Sequence, residues 1–125
     1  MFSHIMVGGA DIGRSKTFYD AVLGALGVGP GVVDRHRVFY RTPSGVFAVS
    51  VPIDGEPPTV ANGGTIGFAC KTPAEADAWH AAGVANGGVS IEDPPGERQG
   101  AFGKLYLAYL RDPDGNKICA LHRMG

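Results

Sequence analysis

The chain repeats itself, and that repeat limits the fold more than any other feature. At an offset of 61 residues His4 falls on Thr65, Phe18 on Trp79 and Gly27 on Gly88. Beyond the helix regions the offset grows, and the turn Thr42-Pro43-Ser44-Gly45 corresponds to Asp112-Pro113-Asp114-Gly115-Asn116. An insertion of about nine residues within Glu92–Gly103 accounts for the difference. Each half reads as strand, helix, strand, strand, strand. A duplicated unit of this kind buries its core by pairing its two copies about a pseudo-twofold axis.

Within the first half, Ser3 to Gly8 is a short apolar stretch suited to a strand. Asp11 stands where a helix N-cap would stand. Phe18, Val22, Leu23 and Leu26 follow at helical spacing, and Gly27, Gly29, Pro30 and Gly31 stop the helix. Val32-Val33, Arg37 to Arg41 and Val46 to Val51 then read as a meander. The stretch from Pro52 to Gly64 is a connector rich in Pro and Gly. The second half opens with Thr65 to Cys70 as a strand. Thr72-Pro73-Ala74-Glu75 offers a Thr N-cap, a Pro at the first helical position and a Glu reaching back. A helix carrying Ala76, Trp79, Ala82 and Gly83 ends near Gly87-Gly88. A loop with Pro94-Pro95-Gly96 and Gly100 follows, then strands over Lys104 to Arg111 and Ile118 to His122.

At 125 residues there is room for one core of ordinary size, so a single domain of residues 1–125 is expected, with module one at about 1–56 and module two at about 63–125. The 11 basic and 12 acidic residues are mixed along the chain, and no basic stripe suggests nucleic-acid binding. No apolar run approaches the roughly 20 residues of a membrane span, and the N-terminus lacks a charged then apolar leader. Two cysteines, Cys70 and Cys119, are too few for a disulfide framework, so reduced thiols in a cytoplasmic setting are expected. The 20 glycines are scattered, which suggests many tight turns rather than a linker.

The segments His4-Ile5-Met6-Val7, Asp11-Ile12-Gly13-Arg14-Ser15, Phe18-Tyr19-Asp20 and Leu23-Gly24 resemble the opening of glyoxalase/bleomycin-resistance/extradiol-dioxygenase proteins, the vicinal oxygen chelate superfamily. Asn62-Gly63-Gly64-Thr65-Ile66-Gly67-Phe68 is similar to the start of their second module, and Asp112 to Ile118 to their closing signature. The resemblance covers essentially the whole chain. It implies an α+β fold in which two paired β-α-β-β-β modules form a curved mixed sheet around a central cleft, and a homodimer. It also implies small-molecule chemistry or binding, without fixing which.

In metal-using members of that superfamily the ligands of a divalent ion (Zn, Ni, Mn or Fe) come from the first and last strand of each module. Carried over, those positions are His4, Thr65, Cys119 and Ala48, or Ser50 if the register is shifted. Only His4 and Cys119 are metal-ligand types, and a catalytic ion needs about three. A resident metal is therefore not favoured.

Strand parity sorts the remaining candidates. With His4 facing the cleft, Met6 and Gly8 face it too; with Thr65, so do Gly67 and Ala69; with Cys119, so do Lys117 and Leu121. Pairing through the turns sets Tyr109 and Leu107 beside Cys119, and Phe39, with Arg37 and Arg41, beside Ala48. The candidate binding residues are thus His4, Met6, Phe39, Thr65, Tyr109 and Cys119, mostly apolar walls with few polar anchors. Cys70 belongs under the second helix, His122 has the wrong parity for the site, and His36 and His80 read as structural or exposed. The Glu92–Gly103 stretch, carrying Glu97, Arg98 and Gln99, could serve as a lid.

Three functions compete. The resemblance implies a lyase related to lactoylglutathione lyase, with a degenerate metal site. The alternative is a metal-independent protein that sequesters an antibiotic or metabolite, with Phe39 and Tyr109 stacking on a planar ligand. A third is metal-free chemistry with His4 as base and Cys119 as nucleophile.

Overall fold

The computed structural model describes residues 1–125. Module one runs β1 (His4–Gly8), α1 (Ile12–Gly24), β2 (Val32–Asp34), β3 (Arg37–Thr42) and β4 (Gly45–Ser50). Module two runs β5 (Ile66–Ala69), α2 (Pro73–Ala85), β6 (Val89–Ser90), β7 (Gly96–Gly100), β8 (Gly103–Arg111) and β9 (Lys117–Arg123). The first sheet has the order β1-β4-β3-β2, and the second β5-β9-β8-β6 with β7 also on β8. In each module the first strand pairs in parallel with the last, and the rest is antiparallel.

The helices form where the sequence supplies their ends. Asp11 accepts a hydrogen bond from the Arg14 N–H at the start of α1, and Thr72 accepts one from the Glu75 N–H at the start of α2. The Glu75 carboxylate reaches back to the N–H of Lys71, one residue beyond the usual capping-box partner. Just past the far end of α2, Gly88 sits where a Cβ would lie 2.6 Å from the Phe18 ring and 2.9 Å from the Gly83 carbonyl, so the chain can turn there only on glycine.

Helix α1 packs on β3 and β4, α2 packs on β8 and β9, and the helices pack on each other. The helices therefore lie between the two sheets, and one hydrophobic core holds Phe18, Tyr19, Val38, Tyr40, Trp79, Leu110 and Ile118 together across both modules. Gly83 makes that close approach possible: a Cβ there would stand 2.2 Å from Leu110 and 3.1 Å from Val22. The two sheets stay separate, and their other faces turn outward. Cys70 lies in this core, under α2, as parity demands.

The segment expected as a loop at Glu92–Gly103 differs. It contains β7, which forms a hairpin with β8 in the register Gly96↔Leu107 to Gly100↔Gly103. The polar run Glu97-Arg98-Gln99 hides this strand from an apolar pattern, since it is held by backbone pairing with β8. The insertion thus splits one edge strand into β6 and β7. Between them Ile91 to Pro95 bulge outward, with Glu92 at φ 58° and the Arg98 guanidinium donating to the carbonyls of Asp93 and Pro94.

The modules are bolted at the Asp112–Asn116 turn. Buried Asp112 accepts from the Tyr19 hydroxyl at 2.7 Å and from the Asn116 side chain at 2.9 Å. Asn116 also donates to the Gly8 carbonyl, while Asp114 accepts from the Ala10 N–H and from Arg14.

Candidate functional site

On the outward face of the first sheet the register lines up three cross-strand rows. Met6 pairs with Ala48, Ala48 with Phe39, and Phe39 with Val32, giving an apolar row. His4, Val46 and Arg41 form the row on one side, and Gly8, Ser50 and Arg37 the row on the other. Ala48, fully covered, is the small residue of the floor, and taller Met6 and Phe39 flank it. A hollow of about 710 Å³ results, lined by Ser3, His4, Met6, Val32, Arg37, Phe39, Arg41 and Val46. The His4 ring shares a 2.7 Å hydrogen bond with the Ser3 hydroxyl through Nδ1.

The outward face of the second sheet carries the equivalent row Gly67, Cys119 and Tyr109. Gly67 leaves room for the thiol, since a Cβ there would approach Sγ to 3.3 Å. Cys119 is only 5% exposed, and burial pushes its thiol up to about 11. Burial and the neighbouring Cys119 also raise the Tyr109 phenol. The Lys117 ammonium stands 5.0 Å above the Tyr109 ring and forms an ion pair with Glu92. The bulge thus hangs a carboxylate over this face.

Of the expected binding residues, the structure brings His4, Met6 and Phe39 together in the first hollow and Tyr109 and Cys119 together on the second sheet. Thr65 is exposed and stands just before β5, outside the strand. One chain therefore presents two half-sites on separate sheets, with helices between. A further hollow of about 740 Å³ runs between β1 and β5, where His4 and Ile5 face Gly67 and Ala69. His122 bonds toward the Cys70 carbonyl and His80 toward Ser90, away from both outward faces.

Sequence reasoning missed Glu92, which comes from the only non-glycine left-handed residue besides Arg35. Nothing in the sequence marks it, because its position depends on the bulge. Arg41 was placed correctly by parity but not weighed as an anchor.

The donors do not fit a resident metal. The four positions implied for one are an imidazole, an alanine, an exposed hydroxyl and a buried thiol, divided between two sheets. No three His, Cys, Asp or Glu side chains cluster in a way that could hold an ion.

The fold is shared with known proteins. A structure from Albidiferax ferrireducens described as a glyoxalase/bleomycin resistance protein is 64% identical, with a TM-score of 0.96 and 98% of each chain covered. A structure described as lactoylglutathione lyase from Agrobacterium tumefaciens shares the fold at a TM-score of 0.67 and 20% identity, over 98% of this chain and 92% of that one. Salmonella typhimurium (strain LT2) virulence protein STM3117 is 49% identical over 35 residues, a stretch covering 28% of this chain and 24% of that protein. The pattern that defines one superfamily matches residues 1–120, and the chain belongs to it: the Glyoxalase/Bleomycin resistance protein/Dioxygenase superfamily.

Proposed function

We propose that this protein binds a small, largely apolar molecule on the outward faces of its sheets without a resident metal, as a cytoplasmic homodimer. The observation that carries the reading is the first hollow, where an apolar row of Met6, Ala48, Phe39 and Val32 lies between polar rows. Mostly apolar walls with few polar anchors suit a planar ligand. A homodimer is consistent with the same reading. Strands β1 and β5 each end a sheet with a free edge, and each chain holds only half-sites, so two copies could close one hollow against the other's second sheet.

The test is a thermal-shift screen of metal-free protein against small neutral and charged aromatics, with sedimentation to weigh the assembly. Binding raises the melting temperature by mass action. A library without a single stabilising compound, in metal-free and metal-supplemented protein alike, would end the binding reading.

A second reading, a lyase of the lactoylglutathione lyase type, draws support from Glu92. Its carboxylate beside Lys117 and Tyr109 is a group able to move a proton where β9 offers only a thiol. Turnover of the methylglyoxal–glutathione hemithioacetal, lost in Glu92→Gln, would favour it over binding alone; no turnover would leave Glu92 a partner of Lys117 only.

A further inference from the structure

We infer that the first hollow takes an organic anion: a planar apolar body carrying one oxyanion group, anchored on Arg37 with Arg41 and His4 at the far end. This rests on the binding reading above and adds the ligand's charge.

Arg37, Phe39 and Arg41 alternate along β3 and share its outward face, so the two guanidinium stems stand on either side of the Phe39 ring. Successive residues on one face are about 6.6 Å apart, so the stems leave about 13 Å between them, enough for a two-ring body lying on Phe39 and Met6. Neither arginine has an acidic partner within ion-pair reach, so both charges on this face are open to a ligand. None of the eight lining residues is a carboxylate. Arg37 is further distinguished because its Nε is buried and has no hydrogen-bond partner. Its two Nη groups make no hydrogen bond and are not buried, so the fork of the guanidinium is free to meet a planar oxyanion. The acidic neighbour nearest in register, Asp34, is already taken by Arg35. On the equivalent face of the second sheet Lys117 is paired with Glu92, and Arg111 beside it donates to the Gly115 carbonyl.

Carboxylates and phosphates share the chemistry, and the experiment separates them. Titration calorimetry on the full chain would compare naphthoate, naphthyl phosphate and uncharged naphthol, on wild type, Arg37→Gln, Arg37→Lys and Arg41→Gln. At least one anion is expected to bind more tightly than naphthol by about tenfold or more, and to lose about ten- to hundredfold in Arg37→Gln. Arg37→Lys should recover only part, since a point charge replaces the fork. The tighter anion identifies the group. Naphthol binding as well as the anions, or anion affinity unchanged in a folded Arg37→Gln, overturns the inference while leaving the binding reading intact. Anion binding that survives in Arg37→Gln but vanishes in a variant of the second sheet, Lys117→Gln, also overturns it. Failure of all three compounds overturns it as well, and the wider neutral screen then decides whether the binding reading falls too.

Discussion

Replacing Tyr19 by Phe removes one hydroxyl from the joint between the modules and nothing else. The ring is fully buried and packed edge-on against Phe18 at 4.9 Å and tilted against Phe47 at 4.7 Å, and Phe keeps both contacts. The hydroxyl donates to the Asp112 carboxylate at 2.7 Å. Hydrogen bonds to charged groups contribute about 1.5–3 kcal/mol. Asp112 would keep donors from the backbone of Asp114 and Asn116 and from the Asn116 side chain, so its charge is not orphaned. The loss should therefore lie at the lower end, about 1.5–2 kcal/mol. At roughly 2.1 cal/mol/K per residue, a chain of this length would melt about 6–8 °C lower. Urea unfolding followed by circular dichroism measures it, with m unchanged. A loss below about 0.5 kcal/mol, the scale of an ordinary surface substitution, would refute the account of this joint. So would two separate unfolding transitions, because a core shared across both modules should unfold as one.

Two further outcomes follow from the same buried groups. Burial and Asp112 hold the Tyr19 phenol well above its ordinary value, and burial with the Asp20 hydrogen bond does the same for Tyr40. A raised folded value stabilises fully below the unfolded phenol's pKa of about 10 and is lost as pH climbs past it, so stability should fall above about pH 10, and less steeply in Tyr19→Phe; a flat urea midpoint through that window would contradict this. Both thiols are buried and raised, Cys119 to about 11, so Ellman's reagent at neutral pH should find no fast-reacting thiol in the native protein and both after unfolding. Rapid native labelling of Cys119 would instead revive it as a nucleophile.

Much of the backbone could be read from the chain. The repeat offset of 61 residues maps Ile12–Gly24 onto Pro73–Ala85, and the two helices have those bounds. Parity and turn position set Phe39 opposite Ala48 and Tyr109 opposite Cys119, and the registers agree. What escaped was whatever depends on packing between elements. The hairpin strand β7 has no apolar face to betray it, since its alternate residues are Gly, Arg and Gly against Glu and Gln. The layering escaped for a related reason. Each sheet advertises one helix-facing side, but α2 meets Val22 and Phe18 of α1 at Gly83, a residue that carries little hydrophobic signal. A cleft shared by both sheets and a pair of helices between the sheets are therefore alike in pattern, and only the contacts separate them.

The outward rows of the two sheets differ for a physical reason. Inward positions carry the shared core, so substitution there costs cavity or strain energy. Outward rows have no such duty within the chain, and they have drifted in a compensating way: Met6, Ala48 and Phe39 stand where Gly67, Cys119 and Tyr109 stand in the other half. A large side chain on the first strand is matched by glycine, and a small one on the last strand by a thiol. The turns diverged too. Thr42–Gly45 makes only local bonds, whereas Asp112–Asn116 ties α1 and β1 to module two. Concentrating the inter-module bonds in one turn frees the outward rows from stabilising the fold. That freedom lets the first sheet set two guanidinium groups without acidic partners beside an apolar row while the second pairs its lysine with Glu92.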